Sequence, residues 1–341
     1  MQTEFMTASA EDIARAGELL RQGEVVGIPT ETVYGLAADA LNPEAVARIF
    51  EAKGRPSDNP LIVHIANRSA LDALVTEVPA AAERLASLWW PGPLTMIFKK
   101  AACVPAVTSG GLSTVAVRLP AHPTARAIIE AAGCPLAAPS ANRSGSPSPT
   151  TAAHVTADMN GRVAAILDGG ASGVGVESTV VDMTGDVPHL LRPGGITVEM
   201  LREAVGEVEV DPAVTAMLQA GVVAASPGMK YKHYAPRANV TLIRSSSAAY
   251  VAYVNAHAGE GVAAMCFDGE ETALSVPYRT YGARDDAAAQ ARQVFDVLRA
   301  WDEEPAVKQV YAACPSSGGL GLAVYNRLLR AAEFEVIVLD D

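Results

Sequence analysis

Cysteine is scarce and scattered in this chain. Cys103, Cys134, Cys266 and Cys314 stand far apart and form no C-x-x-C pair. Neither a zinc cluster nor a disulfide framework is indicated, and a reducing cytoplasm fits. Aromatic residues make up only 5% of the sequence, too few for a base-stacking surface of the kind single-stranded nucleic-acid binders use. Positive charge is also outweighed, since 26 Lys and Arg against 38 Asp and Glu leave a net charge of −12. Binding along a nucleic-acid backbone works by replacing counterions with Lys and Arg, so this balance opposes it. A small anion held by a few basic residues in one pocket is still compatible. No apolar run approaches the roughly 20 residues of a membrane span, and residues 1–10 show no basic stretch leading into an apolar one. The expectation is a cytoplasmic protein with no membrane partner. There is no G-x-x-x-x-G-K-[ST], hence no P-loop. Internal repeats and low-complexity segments are also missing.

What is present is aliphatic bulk: 50% of the 341 residues are hydrophobic. That length fits two domains. Ser9 with Asp12 resembles a capping box before Ile13, Ala16, Leu19 and Leu20 at helical spacing, and Gly23 closes that helix. Val25–Ile28 then reads as a buried strand. Asn42-Pro43 opens a second helix that ends at Gly54. Further strands are predicted at 61–65, 94–98, 114–119, 136–138, 164–167, 179–183 and 189–191, with helices at 80–88, 124–132 and 150–159. That irregular mixture predicts a twisted mixed α/β sheet over residues 1–205. Residues 206–238 read as a linker. From 239 to 341 strands and helices alternate regularly, which predicts a smaller Rossmann-like parallel α/β domain. Gly319-Leu320-Gly321 precedes a helix there, but the third glycine position falls on Val324, so a tight strand-to-helix turn is expected and no NAD site.

Polar clusters gather at the ends of the first domain's predicted strands, where α/β proteins collect ligands. In Lys53-Gly54-Arg55 two cations sit in a loop restricted by Gly and Pro. They read either as complements to a helix dipole or as an anion site. Arg118 lies in the apolar strand Val115–Leu119, where a charge needs a partner. Pro139-Ser140-Ala141-Asn142, Glu177-Ser178-Thr179 and Arg192-Pro193-Gly194-Gly195 flank other strands. No Ser-His-Asp or Cys-His pattern is apparent.

Together with Thr30-Glu31-Thr32-Val33-Tyr34-Gly35-Leu36, and with the linker run Ser226 to Pro236, these motifs resemble the threonylcarbamoyl-AMP synthase family. The form resembled is the long one, with a YrdC-like domain and a C-terminal domain. The motifs span residues 25 to 237, and their order and joint presence carry the resemblance. It implies a nucleotidyltransferase that joins L-threonine, bicarbonate and ATP, with Mg²⁺ travelling on the ATP phosphates and no dedicated metal site. The product would pass to a separate tRNA threonylcarbamoyl transferase, while direct contact with tRNA is left open. By this resemblance Thr32, His64, Arg118, Ala138 and Ser178 would contact threonine. Arg55, Asn59, Thr114, Ser140, Asn142, Ser148, Arg192 and Tyr231 would contact ATP. Lys53 and Arg55 would hold the reacting phosphates, through positioning and electrostatics without a protein nucleophile. His64 reads equally as a core histidine, and the basic run around Tyr231 as either a lid or a surface strip. The alternatives are an RNA-binding module or a carbamoyltransferase of the hydrogenase-maturation type. The latter carries cysteine-rich zinc motifs that are absent here. A docking or regulatory role is expected for the C-terminal domain.

Overall fold

The structure, a computed structural model, describes residues 2–56, 59–217 and 234–340. They divide into two compact units, one of residues 2–144 and 148–214, the other of residues 145–147, 215–217 and 234–340. The first unit is a mixed sheet flanked by helices. Its strands are β1 (Glu4–Met6), β2 (Val26–Ile28), β3 (Gly35–Asp39), β4 (Ile62–His64), β5 (Leu94–Lys99), β6 (Thr114–Arg118), β7 (Leu136–Ala137), β8 (Ala165–Leu167), β9 (Thr179–Asp182), β10 (His189–Arg192) and β11 (Glu209–Val210). They lie in the order β1-β8-β2-β3-β7-β4-β6-β5-β9-β10-β11. The sheet mixes parallel pairs such as β4 with β6 and antiparallel ones such as β5 with β6.

The helices are α1 (Ala10–Arg21), α2 (Pro43–Lys53), α3 (Ala80–Trp89), α4 (Pro123–Ala132), α5 (Ala152–Met159) and α6 (Val198–Val205). Local chemistry sets their ends. The Ser9 hydroxyl accepts from Asp12 N at the start of α1, while the Asp12 carboxylate turns back to Thr7 N and Oγ1. Asn42 accepts from Glu44 N and Ala45 N at the start of α2, and Gly54 ends that helix at φ 62°. Leu19 and Leu20 of α1 meet Ile128, Ile129 and Ala132 of α4 over β2 and β8, forming one core. Gly17 lets those helices touch, because a Cβ there would stand 2.7 Å from the backbone carbon of Ala131.

In the first unit the sequence reading omits β1, β3, β11 and α6. β1 and β11 are edge strands of three and two residues, too short for a periodicity to register. β3, Gly-Leu-Ala-Ala-Asp, is built of small residues with weak strand preference and is held by its two neighbours.

The second unit carries β12 (Asn239–Arg244), β13 (Val262–Cys266), β14 (Tyr278–Thr280), β15 (Gln309–Ala313) and β16 (Val336–Val338) in the order β14-β13-β15-β12-β16. Every pair is parallel. Its helices are α7 (Ser247–Ala256), α8 (Ala287–Ala300) and α9 (Gly321–Ala331). The expected tight turn before α9 is seen, since a Cβ on Gly321 would lie 2.7 Å from Ser316 O. Among the described residues no helix is long and apolar enough to cross a membrane.

Candidate active site

The segment from Thr30 to Leu36, the turn after β2 and the start of β3, is the hub of the polar cluster in the first unit. Thr30 Oγ1 donates to Val33 O at 2.6 Å and lies 2.9 Å from Thr32 Oγ1, which folds the segment into a tight turn. Its backbone then ties in three distant loops. Leu36 N donates to Pro139 O, Ala141 N to Tyr34 O, Tyr34 N to Pro149 O and Val174 N to Glu31 O, each at 2.7–2.8 Å. The buried Tyr34 donates its hydroxyl to Gly170 O at 2.7 Å. Burial pushes that phenol up to about 12, so it stays a donor.

Arg118 closes β6 against this hub. Its guanidinium donates from Nη2 to Glu31 Oε1 at 2.6 Å, from Nη1 to Thr32 Oγ1 at 2.8 Å and from Nε to Gly92 O at 3.2 Å. The side chain is 4% exposed, so the partner demanded by a charge in an apolar strand is Glu31. Burial raises the Glu31 pKa, but the Arg118 charge and nearby backbone N–H groups outweigh it and hold the carboxyl below its usual range. His64 is the register neighbour of Arg118 across β4 and β6. Its Nδ1 lies 3.2 Å from Ile62 O, and burial, helped by the Arg118 charge, pushes its pKa down to about 3. The imidazole is therefore neutral at neutral pH.

Thr95 of β5 is the other register neighbour of Arg118. Its Oγ1 lies 2.8 Å from Ser178 Oγ. Arg192, at the end of β10, donates from Nη2 to Ser178 Oγ at 3.2 Å and from Nε to Ser178 O at 3.0 Å. Ser148 donates to the buried carboxylate of Glu177. Gly194 makes this approach of strands possible, because a Cβ there would fall 2.3 Å from Thr179 N.

The buried Lys53, in the last turn of α2, donates from Nζ to the carbonyl oxygens of Ser140 and Asn142. Ser140 itself bridges to Gly35 of the hub. Asn59 is 2% exposed, and neither Nδ2 nor Oδ1 has a hydrogen-bond partner among the described residues. A buried amide in that state is costly, and a bound polar atom or a water would satisfy it.

A family model described as telomere recombination matches residues 18–194, and a second, described as the threonylcarbamoyl-AMP synthase C-terminal domain, matches residues 196–333. Threonylcarbamoyl-AMP synthase of Bacillus subtilis (strain 168) is 44% identical over 98% of this chain and 97% of its own. This chain belongs to the threonylcarbamoyl-AMP synthase family. The synthase of Pyrococcus abyssi is 45% identical over 94% of both chains. A crystal structure of P. abyssi Sua5 complexed with L-threonine superposes with a TM-score of 0.90, at 42% identity and complete coverage of both chains.

Of the residues that the family resemblance singles out, the fold joins Thr32 directly to Arg118, sets His64 beside Arg118, and joins Ser178 to Arg192. Lys53 reaches the Ser140–Asn142 loop. Ala138 donates its N–H to Ile62 O, and Thr114 opens β6 opposite Lys99. Among the described residues no side-chain hydrogen bond joins Asn59 to the rest of the cluster. Tyr231 and the linker residues 218–233 lie outside the described residues. Glu31 and Glu177 stand in motifs quoted above but carry no role in the sequence reading, and Thr95 is not singled out there at all. The signal for Thr95 is a lone hydroxyl in the apolar run Leu94–Phe98.

Proposed function

We propose that this chain makes threonylcarbamoyl-AMP and pyrophosphate from L-threonine, bicarbonate and ATP, in the cytoplasm, and that a separate transferase passes the threonylcarbamoyl group to tRNA. The observation that carries the reading is the full-length identity to named synthases, joined to a buried Arg118 whose neighbours suit an amino acid. Three of its five N–H groups are engaged by the protein, leaving two for the substrate carboxylate. With Nδ1–H of the neutral His64 turned to Ile62 O, its Nε2 is an acceptor suited to a substrate hydroxyl or amine.

In the reaction the threonine amine attacks the carbon of bicarbonate, losing a proton, and water leaves to give the carbamate. A carbamate oxygen then bonds to the α-phosphorus, and the bond to the bridging oxygen breaks, with its electron pair leaving on pyrophosphate. Arg55, Asn59, Thr114, Ser140, Asn142, Ser148 and Arg192 would receive ATP, with Arg55 nearest the charge that grows on phosphate oxygens. Lys53 would act by holding the loop that presents Ser140. Magnesium would arrive on the ATP phosphates, since it keeps several of its waters and needs few protein oxygens. Tyr231 would complete the ATP site from the linker. The test is pyrophosphate release measured with threonine and bicarbonate each omitted in turn. Release that needs both is expected; release independent of threonine would overturn the reading.

A further inference from the structure

From the geometry around Ser178 we infer that Thr95 is a positioning residue that makes Ser178 an obligate hydrogen-bond donor. Its target is an acceptor oxygen of the amino-acid substrate. The inference rests on the function proposed above for the site, and it adds a residue and a polarity to it. Thr95 is fully buried, and among the described residues the only hydrogen bond its hydroxyl makes is to Ser178 Oγ, at 2.8 Å. Distance leaves open which hydroxyl donates, and both are equally buried, so the proposed site decides it: Ser178 can hand its own proton to a bound substrate, whereas Thr95 has no second acceptor among the described residues. Were Ser178 the donor, the Thr95 proton would be left without an acceptor in a dry interior, and an unmade bond of that kind is costly. Thr95 is therefore the donor.

The second partner of Ser178 Oγ is Arg192 Nη2, at 3.2 Å, and a guanidinium can only donate. A hydroxyl oxygen has two lone pairs, and at Ser178 both are then filled from within the protein. Its own proton remains, on a side chain that is 1% exposed, with no acceptor for it among the described residues. Such a hydroxyl selects for a carboxylate or hydroxyl oxygen and against an N–H or ammonium group. The Arg192 bond to Ser178 O fixes the backbone from which this donor projects.

The test uses the full chain and steady-state pyrophosphate release at saturating bicarbonate. Thr95→Val keeps the shape and removes the hydroxyl. It is expected to raise KM for threonine about tenfold, to leave KM for ATP within about twofold, and to be rescued by Thr95→Ser. In a Ser178→Ala background Thr95→Val is expected to add nothing. Should Thr95→Val lower the melting temperature, Thr95→Cys, of similar size with a weak donor, carries the same comparison. An unchanged KM for threonine, an equal rise in both KM values, or a full Thr95→Val effect in the Ser178→Ala background each overturns the inference. Wild-type release that ignores threonine would instead strike the proposed function, before any variant is compared.

Discussion

Replacing Arg118 by Met would keep the aliphatic length of the side chain and remove the guanidinium that Glu31, Thr32 and Gly92 share. The main loss falls on Glu31, whose carboxylate stays buried with its charge unpaired. Breaking a buried pair from one side costs about 3–5 kcal/mol. For a unit of this size each kcal/mol moves the midpoint by roughly 2–4 °C, so calorimetry should show the first unit melting about 6–20 °C lower at pH 7. Two further results follow from the same cause. Adding Glu31→Gln to Arg118→Met removes the stranded charge and should recover at least half the loss. The pH dependence should also change sign. In the wild type the Glu31 pKa is depressed, so its stabilisation is present above the unfolded value of 4.5 and is lost as pH falls through the folded value. Without Arg118, burial raises that pKa, and the variant's deficit should shrink between pH 7 and pH 5 as the carboxyl takes up a proton. A drop below about 3 °C, or a double variant no more stable than Arg118→Met, would refute the claim that this ion pair holds the cluster together.

Three further outcomes are expected. His64, with its pKa pushed from 6.5 to about 3, should show no imidazole titration in NMR spectra between pH 5 and 8. Because the unfolded chain gains a proton there that the fold refuses, stability should fall as pH drops from 6.5 towards 3, by up to roughly 5 kcal/mol; His64→Gln should flatten that slope in denaturant titrations. Gly194→Ala places a Cβ against Thr179 N, which backbone cannot yield, so it should destabilise the fold by at least about 1–3 kcal/mol and weaken ATP use, read as a higher KM. Lys53→Met strips two buried carbonyls of their donor. It should cost about 1–3 kcal/mol and raise KM for ATP more than KM for threonine; a reversed order would count against the loop-holding role.

Much of the architecture is written in local chemistry. Ser9, Asn42-Pro43, Gly23 and Gly54 set helix ends through caps and left-handed turns, which need only near neighbours. The alternation after residue 239 announced a parallel sheet, because strands buried on both faces and amphipathic crossover helices each leave a periodic trace. The family was legible too, since its motifs are contiguous runs. Chemistry that depends on distant partners was not legible. That Arg118 needed a counter-charge followed from its apolar strand. That Glu31, 87 positions away, supplies it was decided by the turn between β2 and β3. Lys53 read either as a complement to the helix dipole or as part of an anion site, and only the packing of the Ser140–Asn142 loop against α2 turned its ammonium to carbonyl oxygens. Thr95 carried one weak signal, and its meaning came from β5 lying between β6 and β9, which brings it to Ser178. By itself the sequence determined the elements, the charge balance and the family motifs, because these rest on local propensity and composition. Only the tertiary structure decided which donor meets which acceptor, because hydrogen bonds act over about 3 Å, and it is the sheet order that brings those atoms within reach.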